Sequence, residues 1–472
     1  MHRADDTTRR KFVIAAGAVT VAAAAFPEIA KQPVAAIPTV RAAARQVRYG
    51  IVGTGAWGAS LLRHMTRVDN CQCAAVCDID ENNLKIGVAA AGTPVQECRD
   101  YRALLDRKDI EAVVIATPLY THFPITRDAL MAGKHVFCEN CLVFKAQEVH
   151  ALRSLAGERP QQVIQTGLQR RFSGFYQAAK IMAAKGLLGN VTHIIAQWHR
   201  NPGWRVRPFP DRQRERNWVL YREYSGGLVA EFASHQIDVA NWMFGSKPEF
   251  VMGVGGQEFT DDERDVYDNV QLIYKYPRGQ KLVCTAISTN QQLPLFGENP
   301  RTECGERILG TGATVEITVS TDEEPAIALW YYEPRQTRVT SANASGDEQG
   351  IIGGATLGST GHGRKGYPIL LGKDEFHDGD SFFEKEAKYA RRWLYSKGWE
   401  LPQEDRNVIE VQMESFFDCC RSGSRSKAGI EAGLASSIAV ILSNLALDAG
   451  RRVYFDEIDK MGRNQTLQDR KS

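Results

Sequence analysis

The stretch Val47-Arg48-Tyr49-Gly50-Ile51-Val52-Gly53-Thr54-Gly55-Ala56-Trp57-Gly58 decides the fold. A run of strand character passes directly into G-x-G-x-x-G, and a helical run follows from Ala59 to Met65. The glycine pattern is weak alone and much stronger between a strand and a helix. The first glycine permits the tight turn, the second lets a pyrophosphate approach the backbone, and the third lets helix and strand pack closely. The helix N-terminus adds a partial positive charge. Gly53, Gly55, Ala56, Trp57 and Gly58 are therefore expected to cradle a dinucleotide. The next apolar run, from Cys73 to Cys77, ends at Asp78, 20 residues after Gly58. An acid there hydrogen-bonds the adenosine ribose and repels a 2′-phosphate, which favours NAD over NADP. A glycine-rich turn of some other α/β protein, with Asp78 as a cap, is the competing reading.

The alternation continues outward from this stretch. Residues 101–105 read as a helix, 112–116 as a buried strand broken by Thr117-Pro118, 125–132 as a helix and 135–138 as a strand. Strands alternating with helices predict a parallel, doubly wound sheet. Ligands in such sheets lie at the carboxyl ends of strands. That places Thr117, Pro118, His122 and Glu139 beside the cofactor.

The chain has 472 residues, more than one ordinary core accommodates, so two domains are expected. With 58 basic and 56 acidic residues the net charge is +2, which offers no field for nucleic acid. Ten cysteines are too sparse for a disulfide scaffold, and Cys138-x-x-Cys141 lacks the further ligands of a zinc site. No metal is expected. Arg9-Arg10 stands before an apolar run from Phe12 to Phe26, too short to span a bilayer comfortably. This resembles a twin-arginine export signal, with a Sec signal or a basic tail as alternatives. It implies the twin-arginine machinery as a partner and a periplasmic or otherwise exported location. An exported enzyme has no pool of free nicotinamide, so its cofactor must be tightly bound.

Residues 228–244 predict a helix with Glu231, His235 and Asp238 on one face at spacings i, i+4 and i+7. No lysine or arginine occurs from Glu223 to Ser246. A solvated face would carry some, so the polar stripe is expected to line a cleft. A carboxylate beside His235 would stabilise its protonated form and make it a base usable near neutral pH. A satisfied buried network and a metal-ligand set are the alternatives.

These segments together resemble the Gfo/Idh/MocA family of sugar and cyclitol oxidoreductases. The likeness rests on G-x-G-x-x-G, ATPLYTH at 116–122, GKHVFCE at 133–139 and SGGLVAEFASHQIDVANWMFG at 225–245. It covers most of residues 46–290 and returns near 428–456. The resemblance implies an N-terminal Rossmann domain, then an α+β domain with a large open, mostly antiparallel sheet that mediates homo-oligomerisation. It makes His235 the catalytic histidine, with Glu231 at the position of an assisting aspartate. The implied division is a signal and linker at 1–45, a NAD-binding domain at 46–166, a substrate and oligomerisation domain at 167–458 and a polar tail at 459–472.

Other residues are placed by position. Arg171, with Arg170 beside it, follows Gly167 near the domain junction and is expected to grip cofactor or substrate, a junction salt bridge being the alternative. His199, Arg200, Asn201 and Trp204 end a strand and combine aromatic with hydrogen-bonding groups, as carbohydrate recognition requires. Asp238 joins them as a substrate-binding candidate, and Tyr221 is a candidate assistant to His235. A Gly/Ser/Ala-rich loop covers 342–363.

One departure bears on mechanism. Where the family carries Glu-Lys-Pro, this chain has Glu139-Asn140-Cys141. Asn140 can hydrogen-bond cofactor or substrate but cannot carry charge or relay a proton. Three readings follow: net hydride transfer between NAD and a carbinol carbon of a sugar, glycoside or cyclitol; glycoside cleavage through transient oxidation; or a non-catalytic sugar- or nucleotide-binding protein.

Overall fold

A computed structural model describes residues 45–199, 209, 212–260, 262–289, 304–319, 327–332, 367–370 and 406–461. The twin-arginine segment, the 342–363 loop, Arg200, Asn201 and Trp204 lie outside the described residues.

Six strands form the first sheet: β1 (Val47–Val52), β2 (Cys71–Cys77), β3 (Gln96–Cys98), β4 (Ala112–Ile115), β5 (His135–Cys138) and β6 (Ile164–Thr166). Their order is β3-β2-β1-β4-β5-β6 and every pairing is parallel. All four residues of β4 are buried, as a strand covered on both faces requires. The order reverses between β2 and β4, so the carboxyl end of β1 opens a ligand crevice.

The helix Val408–Ser422 belongs to this domain in space although sequence position assigns it to the second. Asn407 caps it by accepting from the Ile409 N–H at 2.9 Å. Its apolar face, with Ile409, Met413, Phe416 and Phe417, packs on the first sheet. Phe417 lies 5.1 Å from the Tyr49 ring and Phe416 lies 5.8 Å from Phe137.

The second sheet has the order β14-β13-β12-β11-β7-β10-β9-β8-β15. Its members are β7 (Val191–His199), β8 (Phe250–Gly256), β9 (Asn269–Lys275), β10 (Lys281–Ile287), β11 (Cys304–Gly310), β12 (Ala313–Val319), β13 (Ile327–Tyr332), β14 (Tyr367–Leu370) and β15 (Val453–Tyr454). Only the β7–β10 pairing is parallel. The helices Ser234–Phe244 and Ile430–Ala449 cover one face. Tyr276 Oη donates to Asn241 Oδ1 at 2.8 Å, and the Tyr274 and Ser443 hydroxyls meet at 2.6 Å. Ile430–Ala449 is apolar along its length because it runs through the core, where most of it is buried.

Candidate active site

The three glycines divide their work as the sequence predicts. Gly53 has φ +89°, and a Cβ there would lie 2.5 Å from the Ala116 carbonyl oxygen. A Cβ on Gly58 would lie 1.9 Å from the Gly53 carbonyl oxygen, so only glycine lets helix and turn meet. A Cβ on Gly55 would meet nothing nearer than Asn83 Nδ2 at 3.8 Å, so open space lies against the backbone where a pyrophosphate would approach. Gly55 is the N-cap of Ala56–Met65 and supplies no side chain, leaving the first-turn N–H groups for a ligand. Asp78 is fixed beside this turn: its carboxylate accepts from the Thr54 N–H at 2.8 Å and the Asp80 N–H at 2.8 Å. A carboxylate has about four acceptor positions, so it retains capacity for a ribose. These residues fit NAD, and bound NAD would supply the hydride acceptor or donor.

At the end of β5, Glu139 accepts from Trp57 Nε1 at 2.9 Å, tying the first helix to the centre of the crevice. Asn140, whose peptide bond to Cys141 is cis, donates through Nδ2 to Ser234 Oγ at 2.7 Å. Its Oδ1 is buried with no hydrogen-bond partner. Asn140 therefore faces the neighbour of His235, and its unused atom is an acceptor. Thr117 accepts from Thr121 Oγ1 at 2.7 Å, while Pro118 precedes the turn Leu119–Thr121 at the end of β4. His122 corrects the sequence reading. It is buried, with Nδ1 2.7 Å from the Cys141 carbonyl and Nε2 2.8 Å from the Thr117 carbonyl, so it pins two loops and has no nitrogen left for cofactor.

The predicted helix 228–244 opens with a π turn at Val229–Ala233 before the α-helix Ser234–Phe244. Such widened turns occur frequently at functional sites. Glu231 does not pair with His235; its carboxylate accepts from Ser225 Oγ at 3.0 Å. Burial pushes Glu231 up to about 7 against that hydrogen bond. His235 moves the other way, down to about 3, through burial and the positive charge of Arg170. The expected carboxylate-stabilised imidazolium is therefore replaced by a neutral ring. Its Nδ1 is buried and unpartnered, although the residue keeps partial solvent access, as Glu231 does.

Asp238 and Arg171 are a second correction. Arg171 donates bidentately to Asp238 at 2.8 and 2.7 Å and to the Lys427 carbonyl at 3.2 Å. The junction salt bridge accounts for both, and neither side chain is presented to cofactor or substrate. His199 is a third. Along β7 the side chains of Ile194 and Ala196 are buried on the helix-covered face, and alternation puts His199 on the other. Its Nε2 lies 3.0 Å from Thr285 Oγ1 on β10. Tyr221 is fully buried under the Arg214 guanidinium, 4.3 Å from its centroid, and its hydroxyl has no partner.

Alternation instead brings Trp198 to the site, a residue the sequence reading passed over for its neighbour. Its ring lies 5.6 Å from His235 and 5.1 Å from Phe232. The buried Arg170 guanidinium lies 5.1 Å from the same ring, 3.0 Å from Glu306 and 3.0 Å from Cys304 Sγ. Tyr176 Oη donates to Glu306 as well. A fixed cation thus stands behind Trp198 and disfavours a second positive charge on His235. Among the described residues, no three His, Cys, Asp or Glu side chains are grouped to hold a metal.

Comparison with known proteins matches residues 47–167 to the Gfo/Idh/MocA oxidoreductase family's NAD-binding Rossmann fold and residues 176–316 to a Gfo/Idh/MocA C-terminal domain. The oxidoreductase YrbE of Bacillus subtilis is 28% identical over 262 residues, 55% of this chain and 71% of that one. The 2,7-anhydro-N-acetylneuraminate hydratase of Mediterraneibacter gnavus is 30% identical over 234 residues, 48% of this chain and 59% of that one. The inositol 2-dehydrogenase of Rhizobium meliloti is 26% identical over 260 residues, 54% of this chain and 72% of that one. Levoglucosan dehydrogenase in complex with NADH shares the fold, with TM-score 0.64 and 16% identity over 87% of this chain and 99% of that one. Its first sheet, its glycine turn and these matches agree: the chain belongs to the Gfo/Idh/MocA family of NAD-dependent oxidoreductases.

Proposed function

We propose that the protein moves hydride between retained NAD and a carbinol carbon of a sugar, glycoside or cyclitol. The observation that carries this is geometric: Glu231 and His235, the latter with an unpartnered ring nitrogen, stand one helical turn apart on the helix that Asn140 ties to the dinucleotide crevice, and burial raises the first to about 7 and lowers the second to about 3. Environments that push two groups apart assign an acid–base pair. In the oxidising direction the Glu231 carboxylate takes the substrate hydroxyl proton as hydride leaves the adjoining carbon and a carbonyl forms, while neutral His235 orients the substrate through its unpartnered Nδ1. Glu231 titrates near neutrality and so suits passing that proton to water. Asn140 Oδ1 accepts a hydrogen bond from a substrate hydroxyl, which replaces charge with orientation. Trp198 offers an aromatic face to sugar C–H groups. Asp78 supports NAD over NADP.

A second reading uses the same residues. Oxidation acidifies the C–H beside the new carbonyl, Glu231 removes that proton, and an oxygen substituent leaves. Water then adds and hydride returns, so reduced cofactor never accumulates. The similarity to a hydratase favours this cycle. Stopped-flow spectroscopy of the NAD-loaded protein with cyclitols and anhydrosugars separates the two: lasting reduced cofactor marks net transfer, and a transient marks the cycle. H235A and E231Q are expected to suppress either signal. A non-catalytic binding protein would show neither with any sugar it binds.

Twin-arginine export and assembly into a homo-oligomer complete the proposal. An apolar row crosses four strands on the face of the second sheet opposite the helices Ser234–Phe244 and Ile430–Ala449: Ile195 beside Val283, Val283 beside Ile273, and Ile273 beside Met252. Ile195, Ile273 and Met252 are exposed, as is Val254 further along β8. A second copy of the chain would cover them. Fractionation of cells carrying the full-length protein or R9K/R10K tests export.

A further inference from the structure

The stretch of residues 212–224, which leads into the His235 helix, touches both domains. At its root, Arg222 donates to both oxygens of Asp448 at 2.8 Å, its N–H donates to Asp265 at 2.6 Å, and Gln213 Nε2 donates to Glu263 at 2.8 Å. These partners belong to the second domain. At its far side, Arg216 Nη2 donates to Asp80 at 2.8 Å, and Arg212 lies 3.8 Å from the same carboxylate. The Tyr224 ring lies 4.9 Å from that of Tyr120.

The two first-domain anchors have a meaningful position in the sheet. Asp80 follows β2 and Tyr120 follows β4, and these strands flank β1. The strands are about 10 Å apart, twice the spacing of paired neighbours. Between the two anchors lies the end of β1, which carries the Gly53–Gly58 turn. A chain fastened on both flanks therefore crosses the mouth of the crevice where a pyrophosphate would lie. Asp80 also sits two residues beyond Asp78, the ribose acid, whose carboxylate accepts its N–H.

We propose that Arg216 is a positioning residue for the dinucleotide: paired with Asp80, it holds residues 212–224 across the crevice, and NAD leaves only when the pair opens. The inference rests on the NAD site already described and adds a cause for retention. It also explains why an aspartate stands at this point of the β2 loop. Asp80 accepts from the Asn82 and Asn83 N–H groups as N-cap of Glu81–Ala91 and presents its second oxygen to Arg216.

The test is the rate at which NADH leaves the full-length protein, followed by loss of its fluorescence on adding excess NAD. Asn serves as an N-cap as well as Asp, so D80N keeps the helix start and removes only the charge. R216Q removes the other partner. Both variants are expected to release NADH about two- to fivefold faster at unchanged melting temperature, the span of a partly exposed ion pair. R216K, which keeps the charge, is expected to stay near the parent rate. Release rates unchanged in both D80N and R216Q would overturn the proposal while leaving the NAD site intact. A parent protein that binds no NADH at all would overturn the NAD site and the strap together.

Discussion

Glu231 and His235 show how a residue's neighbours fix its chemistry. Each is one turn from the other, yet burial disfavours the charged form of both, so the acid is raised and the base lowered; the Ser225 hydrogen bond tempers the first shift and the Arg170 charge adds to the second. In the oxidising direction the working form of Glu231 is the carboxylate, so the rate is expected to climb with pH through about 7. E231Q is expected to flatten that limb and lower kcat about a hundredfold, read from pH profiles of both proteins. The same shift affects stability. Between the ordinary 4.5 and about 7 the folded protein holds a proton on Glu231 that the unfolded chain has lost. Its contribution is therefore present at low pH and fades as pH rises through 7. Urea melts across that range should show a shallower decline in E231Q. The places of Glu231, His235 and Asp78 in the fold were legible from spacing, and the roles expected of the first two drew on the family resemblance as well. His199 was not, because only the sheet shows that Trp198 is the member of the pair facing inward.

At the scale of elements, the parallel sheet was legible because strand and helix periods alternate between punctuating glycines and prolines. The π turn at Val229–Ala233 was not, since it leaves no periodic trace, and it removes the carboxylate expected beside His235. The helix Val408–Ser422 was hidden for another reason: its partners, Tyr49 and Phe137, lie hundreds of residues earlier in the chain. F416A is expected to cost about 3–5 kcal/mol by the cavity it leaves in the first domain, measured by chemical denaturation. The Arg171–Asp238 pair joins the loop after β6 to the His235 helix. Removing one partner strands a buried charge, so R171M is expected to lose about 3–5 kcal/mol. A double R171M/D238N variant should recover part of that loss.

Across the whole molecule, two sheets serve two purposes. The first holds the dinucleotide at its switch point, and the second presents one face to the core and an apolar row to its surroundings. A charge in that row opposes self-association, so I273K is expected to lower the molar mass found by light scattering while leaving NADH binding unchanged. The two-domain plan was legible from length and motif order. The contacts that join the domains were not, because pairs such as Asp80 with Arg216 have no sequence signature.

The central claim is that this chain keeps a nicotinamide dinucleotide and works by redox chemistry. Mass spectrometry of the small molecules released when the purified, full-length protein is heat-denatured tests it most directly. The account predicts NAD or NADH in near-equal amount to the protein. A denatured sample without dinucleotide, from a protein that also fails to bind added NAD, would contradict it.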